Sequence, residues 1–440
     1  MHQTEGNKKV VNAWAMYDWA NSAYSLVITS ALFPIYFHAI TSGSGERTIR
    51  FLGMNFNSDS LQSYSISLAF LVIAFINPLL SSIADFSGRK KQFMYFFCTL
   101  GSLACSSLFF FSSAATLWIG VAGSMLAAIG FSGSIVFYNA FLPEIARPEE
   151  QDKVSAKGFA MGYIGSSLLL IFALTMVLFP QWYGNIEKGL AMRISFLLVG
   201  IWWFGFAQIT FFHLKEKNTQ QKLAHHLIFN GYKELKKVWF SLRHTTRLKK
   251  FLFSFFFYNM GVQTVMYVAT LFGDSELHLD SSILIAVILI IQFVAIGGAY
   301  LFSYFSGKFG NLKALSIAII AWIIVCIGAW FCDKRFGVNE AQMFIALGAC
   351  VGLVMGGIQS LSRSTYSKLL PETVDHASYF SFFDVCDKLG TVLGTFMFGY
   401  IIELTGSMRN SIIILMFFFI LGLILLVRIG KQVQLKPVND

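Results

Sequence analysis

Twelve long apolar runs dominate this sequence and restrict what it can fold into. A helix that crosses a bilayer needs about 20 consecutive, mostly apolar residues, and each run is long enough. Charged residues make up 13% of the chain, whereas a soluble domain carries about 25%. A water-soluble globule and a disordered chain are therefore excluded. The predicted membrane helices, numbered 1 to 12, cover residues 11–38, 61–84, 92–113, 115–142, 157–180, 190–213, 250–272, 281–306, 311–332, 340–363, 377–402 and 410–429.

The positions of the basic residues predict the orientation of the chain. Lys and Arg collect in the cytoplasmic loops of membrane proteins. If the N-terminus is cytoplasmic, the outer loops hold few of the 33 basic residues, namely Arg47, Arg50, Lys188, Arg193, Lys334, Arg335 and Arg409. We therefore predict a multi-pass protein of the cell (inner) membrane with both termini in the cytoplasm. The same distribution explains the net charge of +10 without a nucleic-acid partner.

The longest predicted loop, residues 214–249, divides the chain into an N-terminal half at 1–213 and a C-terminal half at 250–440. This loop is rich in Lys and Arg, and it also carries apolar residues at helical spacing. That pattern predicts a basic amphipathic helix on the inner membrane face, with a solvated tether as the alternative. The apolar positions are Ile228, Tyr232, Leu235, Trp239 and Leu242.

Two short segments recur at equivalent places in the two halves. Phe86-Ser87-Gly88-Arg89 follows helix 2, and Phe305-Ser306-Gly307-Lys308 follows helix 8. The sequence Leu-Pro-Glu likewise occurs at 142–144 and 370–372, near the ends of helices 4 and 10. Two parallel six-helix repeats are typical of the major facilitator architecture. The predicted fold is therefore an all-α polytopic membrane protein of that architecture.

Four charged residues lie well inside the predicted membrane helices: Asp18, Asp384, Asp387 and Lys388. Each costs about 2.5–3.5 kcal/mol on insertion scales, so each needs a structural or a functional reason. Polar residues of helices 1 and 11 share one pattern of helical offsets, which predicts a polar stripe on each helix. We predict an i,i+4 ion pair between Asp384 and Lys388, with Asp387 pointing elsewhere. The alternative for Asp18 is a hydrogen bond that packs helices together.

These stripes and the polar residues of neighbouring helices form the predicted binding site. Two carboxylates at i,i+3 resist ionising together in a low dielectric, which suits uptake of a proton, another cation or a substrate amine. Lys388 and Arg363 are candidates for binding a substrate carboxylate. The neutral members could instead only join helices. The candidate substrate- and proton-binding residues are Asp18, Asn21, Ser22, Tyr138, Asn139, Asn259, Gln263, Gln359, Arg363, Asp384, Asp387 and Lys388.

The loop after helix 2 reads ADFSGRKK and predicts an inner-gate latch. Asp85 can cap a neighbouring helix N-terminus, and Arg89 can pair with a carboxylate such as Glu144. The alternative is an ordinary basic cytoplasmic loop. The candidate latch residues are Asp85, Gly88, Arg89, Lys90 and Glu144.

Several motifs of other protein classes are absent from the sequence. It has no GxxxxGK[ST] phosphate loop, no HExxH and no GxSxG, and no spacing typical of metal ligands. We therefore expect neither an ATP-driven pump nor an enzyme, and we expect no cofactor and no metal.

Three segments of the chain resemble one family of transporters. WAMYDWANSAYSLV (14–27), NAFLPEIARPEEQDKVSAKGFAMGYIGSSL (139–168) and QSLSRSTYSKLLPE (359–372), together with Lys388, resemble the vacuole-effluxer family of the major facilitator superfamily. That family includes autophagy-related vacuolar amino-acid exporters of fungi, and the short loops resemble its bacterial members. The loop after helix 2 resembles the superfamily signature, although Ser81 stands where a leading glycine is usual.

This resemblance implies a twelve-helix secondary transporter that works by alternating access. It implies Asp85 and Arg89 as latch residues and amino acids or related small polar solutes as substrates. We expect coupling to a cation, a proton in our interpretation, and a monomer in the lipid bilayer. Two alternatives remain: a transporter of amphipathic lipids or cell-wall fragments, and a membrane receptor that binds a ligand without transporting it.

Overall fold

The computed structural model describes residues 7–41, 48–216, 227–333, 337 and 339–434. Twelve helices in these ranges are long and apolar enough to cross a membrane, which confirms the twelve predicted helices. They are Lys8–Thr41, Ser58–Ser87, Lys90–Ser107, Leu117–Ala140, Gln151–Leu178, Lys188–His213, Thr246–Leu271, Ser281–Phe309, Asn311–Trp330, Glu340–Leu369, His376–Thr405 and Met408–Gln434, and they keep the numbers 1 to 12. Shorter helical pieces are Leu108–Phe110, Ala114–Thr116, Leu142–Ile145, Pro180–Tyr183 and Phe272–Glu276.

Helix 1 changes its winding partway along its length. Tyr24–Leu32 is π-helical, between α-helical segments at Lys8–Ala23 and Phe33–Thr41. The i→i+5 bonds of a π-helix place more residues in each turn than an α-helix does. The α-helical spacing from which the polar stripe was predicted therefore ends at Tyr24. Of the polar residues of helix 1 on the predicted stripe, Asp18, Asn21 and Ser22 lie in the α-helical part, whereas Ser25 and Thr29 lie in the π-helical part.

A β-hairpin lies between helices 1 and 2, and the sequence analysis did not anticipate it. Strand β1, Thr48–Phe51, pairs antiparallel with strand β2, Met54–Asn57. The two turn residues, Leu52 and Gly53, have φ of 50° and 82°. Two-residue hairpin turns with positive φ at both positions match the twist of the strands, and glycine adopts this conformation without strain.

The chain divides into two compact units. The N-terminal unit contains Asn7–Phe141 and Met161–Glu234. Within it, helix 1 packs on helix 6, and helix 3 packs on helices 4 and 6. The C-terminal unit contains Leu142–Ala160, which is the end of the helix 4 region and the start of helix 5, together with the described residues from Leu235 onward.

Within the C-terminal unit, helix 10 packs closely on helix 8, and helix 7 packs on helices 11 and 12. Small residues permit the close approach of helices 8 and 10. A Cβ atom built on Gly352 would lie 2.5 Å from the carbonyl oxygen of Ile291, so a larger residue would push the helices apart. Close packing through small residues is typical of membrane helix pairs.

The predicted amphipathic helix is present at Leu227–His244, and we call it the linker helix. Two of its apolar side chains, Val238 and Leu242, are buried in the protein. The Tyr379 hydroxyl donates to Ser241 Oγ at 2.8 Å, which joins the linker helix to helix 11. Of the apolar positions that predicted this helix, Leu242 is therefore covered by the protein, while the position of the helix on the inner membrane face stays a prediction.

Candidate functional site

Lys388 on helix 11 contacts two carboxylates of the same helix. Its Nζ lies 2.7 Å from Asp387 Oδ2 and 3.6 Å from Asp384 Oδ1. Asp384 and Lys388 are buried. The i,i+4 contact with Asp384 is therefore present, but the expectation that Asp387 points elsewhere is wrong. Lysine carries its ammonium on a flexible four-carbon chain, which here reaches the neighbouring residue.

Helix 7 supplies two amide groups to the same carboxylate. Asn259 Nδ2 and Gln263 Nε2 each donate to Asp387 Oδ1 at 2.8 Å. These residues are four apart and therefore share one face of helix 7. One oxygen of Asp387 thus accepts two amides, while the other accepts the ammonium of Lys388. We call Asn259, Gln263, Asp384, Asp387 and Lys388 the helix 7/11 cluster.

The helix 7/11 cluster contains charges of both signs. Two carboxylates share one ammonium, so with all three groups ionised it has an excess of negative charge. Buried charges in a membrane helix are stable only when they are paired or hydrogen-bonded. An arrangement of this kind can bind a solute that itself carries an ammonium and a carboxylate, because both groups find an opposite charge.

Asp18 is hydrogen-bonded within the N-terminal unit. The Tyr138 hydroxyl on helix 4 donates to Asp18 Oδ2 at 2.8 Å. Trp14 Nε1 donates to the carbonyl oxygen of Tyr138 at 2.9 Å, and the two rings stack with centroids 4.3 Å apart. Asp18 is only 4% exposed, so a neutral hydroxyl donor holds a buried carboxylate. The structure therefore has, at Asp18, a hydrogen bond that joins helix 1 to helix 4, which is the alternative given for this residue above.

Asn21 and Ser22 lie one turn beyond Asp18 on helix 1. Ser22 Oγ donates to Asn21 Oδ1 at 3.4 Å. Asn21 is 1% exposed, and its Nδ2 finds no acceptor among the residues that the structure describes. Burying an amide donor without a partner costs about 1–3 kcal/mol. Asn21 therefore has hydrogen-bonding capacity that an acceptor on a ligand would satisfy.

Arg363 is bound to helix 5. Its Nε donates to Ser155 Oγ at 2.9 Å, and its second guanidinium nitrogen donates to the Ser155 carbonyl at 2.8 Å. The guanidinium carbon lies 4.2 Å from the Phe159 ring centroid. The described contacts of Arg363 are therefore structural rather than with the helix 7/11 cluster. Of the two other candidates, Asn139 is buried on helix 4 and Gln359 is half-buried on helix 10.

The predicted latch residues of the loop after helix 2 lie around a tight turn. Gly88 has φ of 67°, which favours glycine, and its N–H donates to the Asp85 carbonyl. The Asp85 carboxylate lies 3.7 Å from Lys90 Nζ at the start of helix 3. Arg89, which lies between Asp85 and Lys90 in the sequence, is half-buried.

Glu144, the carboxylate expected to pair with Arg89, has a different described partner. Its Oε1 lies 3.0 Å from His376 Nδ1, at the start of helix 11. The sequence gives no sign of this contact, because a single histidine at a membrane edge, such as His376, forms no recognisable pattern.

A second group of polar side chains, around Asp152, was also missed. Asp152 Oδ2 accepts from Lys368 Nζ at 2.6 Å and from Ser306 Oγ at 2.8 Å. Its Oδ1 accepts from Asn311 Nδ2 at 2.8 Å, and Asn311 Oδ1 in turn accepts from Lys368 at 3.0 Å. We call these four residues the Asp152 cluster. The sequence feature that could have pointed to this cluster is Ser306, because it belongs to the repeated Phe-Ser-Gly segment.

The fold is that of the major facilitator superfamily. The Escherichia coli fucose:proton symporter matches with a TM-score of 0.67 at 12% identity, over 96% of this chain and 97% of that one. The proton:xylose symporter XylE matches with a TM-score of 0.73 at 11% identity, over 96% and 95%. These similarities confirm the predicted architecture. The fold is therefore that of a multi-pass membrane protein with twelve membrane-crossing helices in the major facilitator architecture.

The chain belongs to the vacuole effluxer Atg22-like family, whose model matches residues 6–434. It is 31% identical over 426 residues to the uncharacterized MFS-type transporter YxiO of Bacillus subtilis (strain 168), covering 96% of this chain and 95% of that one. It is 25% identical over 483 residues to autophagy-related protein 22-1 of Penicillium rubens, covering 90% and 80%. The predicted family is confirmed, and the chain is an MFS-type transporter.

Proposed function

We propose that this chain is a secondary active transporter of a small polar solute, an amino acid, and that alternating access is coupled to protons. The observation that carries the proposal is the contact of Lys388 with Asp387 and Asp384, completed by the amides of helix 7. Groups of both signs at one buried place match the two charges of an amino acid.

In this proposal Lys388 binds the substrate carboxylate, and Asp384 binds the substrate amine. Asp387 holds Lys388 in position, because it accepts the ammonium at 2.7 Å and two amides at 2.8 Å. A nearby ammonium favours the ionised form of a carboxylate. We therefore assign Asp387 the role of positioning Lys388 rather than that of carrying a proton.

Asp18 is the proposed proton carrier. It is buried on helix 1 and accepts a hydrogen bond from the Tyr138 hydroxyl. Ionisable residues inside membrane helices mark proton relays in pumps and transporters, and because Asp384 and Asp387 are assigned to the substrate and to Lys388, Asp18 is the remaining carboxylate for this role.

The first experiment tests the substrate class. The purified full chain is heated in detergent with each proteinogenic amino acid, with sugars and with dipeptides. A ligand that binds only the folded state raises the melting temperature. A rise with amino acids alone supports the proposal, and a rise with sugars or dipeptides alone contradicts it.

The second experiment measures flux in proteoliposomes with the amino acid that raises the melting temperature most. Proton-driven accumulation and substrate counterflow are measured separately. Asp18→Asn should abolish accumulation and retain counterflow, since exchange needs no net proton movement. Asp387→Asn should abolish both, because Lys388 loses its shortest contact.

The matched control is Glu187→Gln, at an exposed carboxylate before helix 6, which should retain both activities. Intact accumulation in Asp18→Asn would refute the role of Asp18. Binding without any flux in the wild-type protein would instead favour a receptor.

A further inference from the structure

The linker helix exposes a face of basic and aromatic side chains. Lys236, Phe240 and Arg243 follow one another at i, i+4 and i+7, so they share one side of the helix. All three are exposed, and Lys236 Nζ lies 6.0 Å from the Phe240 ring centroid. We call these three residues the basic face.

The opposite side of the linker helix is held by the protein. Val238 is 1% exposed and Leu242 is 7% exposed. The Tyr379 hydroxyl donates to Ser241 Oγ at 2.8 Å, and the Trp239 ring lies 5.7 Å from the Phe382 ring. Because these contacts fix the rotation of the helix on helix 11, the basic face points away from helix 11.

The basic face lies next to the membrane. Only Thr245 separates the linker helix from helix 7, which begins at Thr246. Arg247 and Lys249 are exposed on the first turn of helix 7, and its apolar part begins at Phe251. The four helical steps from Arg247 to Phe251 span about 6 Å along the helix axis, which is about the thickness of one layer of lipid headgroups. The exposed basic residues therefore lie at the level of lipid headgroups.

The charge of this segment is of one sign. From Leu235 to Lys250 the sequence contains no Asp or Glu. Juxtamembrane clusters of Lys and Arg attract anionic lipids, and aromatic side chains prefer the membrane interface. Phe240 is 46% exposed between two basic residues, as expected for contact with headgroups and the upper acyl chains.

We propose that the basic face binds the headgroups of anionic phospholipids in the surrounding bilayer. The linker helix is thereby held between the lipid surface and helix 11. Helix 11 carries Lys388 and Asp387, so lipid binding at the basic face favours the arrangement in which helix 11 contacts Ser241. The proposal concerns the lipid and does not depend on which solute the protein carries.

The test uses the full-length protein in a neutral detergent, titrated with mixed micelles that contain phosphatidylglycerol or phosphatidylcholine. The readout is the melting temperature as a function of lipid concentration. Phosphatidylglycerol should raise it at concentrations where phosphatidylcholine does not. The double variant Lys236→Gln, Arg243→Gln should bind phosphatidylglycerol about thirtyfold more weakly, since each surface charge contributes about 1 kcal/mol to attraction by an anionic membrane.

The matched control is Lys308→Gln, Lys313→Gln, which removes the same charge at two exposed basic residues around the turn between helices 8 and 9. Lys308 also lies near an aromatic ring, 5.4 Å from the Phe309 centroid. This control should keep the wild-type response. An equal loss in both double variants, or equal responses of the wild-type protein to the two lipids, would overturn the proposal.

Discussion

Lys368 Nζ lies 2.6 Å from Asp152 Oδ2, and this ion pair joins the end of helix 10 to the start of helix 5. Asp152 lies in the first turn of its helix, where a negative charge is favoured by the helix dipole. Ser306 and Asn311 satisfy the remaining acceptor positions. A buried carboxylate with this many donors contributes to stability mainly through the cost of losing any one of them.

Lys368→Met should lower the free energy of unfolding by about 1–3 kcal/mol, because Asp152 keeps only neutral donors. This expected loss is smaller than that for a fully buried ion pair, because the Lys368 side chain is 21% exposed. The measurement is the melting temperature of the purified protein. The control is Lys237→Met, which breaks a largely exposed pair with Asp375 at 3.7 Å and should cost less than about 0.5 kcal/mol. Equal effects would contradict the prediction.

A double-mutant cycle at Lys388 and Asp387 should show strong coupling. Lys388→Met leaves two buried carboxylates without their ammonium and should cost about 3–5 kcal/mol. Adding Asp387→Asn removes one of those charges and should recover part of the stability. Each loss is a decrease in the free energy of unfolding. We expect the sum of the losses in the two single variants to exceed the loss in the double variant by more than about 1 kcal/mol. Additive losses would mean that the 2.7 Å contact contributes nothing.

Tyr138→Phe should separate the hydrogen bond to Asp18 from the aromatic packing around it. The phenylalanine ring can still stack on Trp14, but the donor to the buried carboxylate is lost. A hydrogen bond to a charged group contributes about 1.5–3 kcal/mol, which sets the expected drop in stability. Tyr183→Phe is the control, because its hydroxyl contacts a neutral partner, Thr175, and should cost less than about 1 kcal/mol. A similar cost for both would mean that the hydrogen bond to Asp18 is no stronger than one between two neutral groups.

The orientation of the chain can be measured with an impermeant maleimide. A cysteine in place of Ser58, at the start of helix 2, should react on intact cells. A cysteine in place of Lys249 should react only after permeabilisation. The reverse pattern would place the N-terminus outside.

Cys332 gives a labelling experiment of this kind a pH dependence of its own. Burial raises the pKa of Cys332 to about 11, with Glu340 as a smaller cause in the same direction. Because the thiolate is the reactive form, its labelling should be slow at neutral pH and rise about tenfold per pH unit until the pH reaches that pKa. Rapid labelling at neutral pH would contradict the burial of this thiol.

Asp85→Asn should open the proposed inner gate. If the contact between Asp85 and Lys90 holds the cytoplasmic side closed, removing the Asp85 carboxylate shifts the population toward inward-open states. The size of the shift depends on how much the contacts of Asp85 differ between the closed and the open states. A reporter cysteine in place of Thr395, which is half-buried on helix 11 two turns beyond Lys388, should then react faster from the cytoplasm. Asp280→Asn, at an exposed carboxylate before helix 8, should leave the rate unchanged. An unchanged rate in Asp85→Asn would leave this loop as a signal for topology only.

Hydropathy was sufficient to predict the helices, because spanning a bilayer imposes a length and composition that few other structures share. Helical periodicity placed Asn259 and Gln263 on one face, and both contact Asp387. Periodicity could not predict that Lys388 lies nearer Asp387 than Asp384, since that depends on the rotamer of a long side chain. The Asp152 cluster was missed because its members come from three distant segments, the start of helix 5, the residues around the turn between helices 8 and 9 and the end of helix 10, each of which looks like an ordinary helix end.

The π-helical segment Tyr24–Leu32 has a consequence for the mechanical behaviour of helix 1. Its wider turns interrupt the regular i→i−4 ladder, so the parts before and after it are coupled less rigidly in torsion than in a continuous α-helix. The extra residue in the π-helical turns therefore sets the angular position of Asp18 and Asn21 about the helix axis apart from that of the segment Phe33–Thr41. A one-residue deletion that converted this segment to α-helix would stiffen that joint without shortening the span by more than about 1.5 Å.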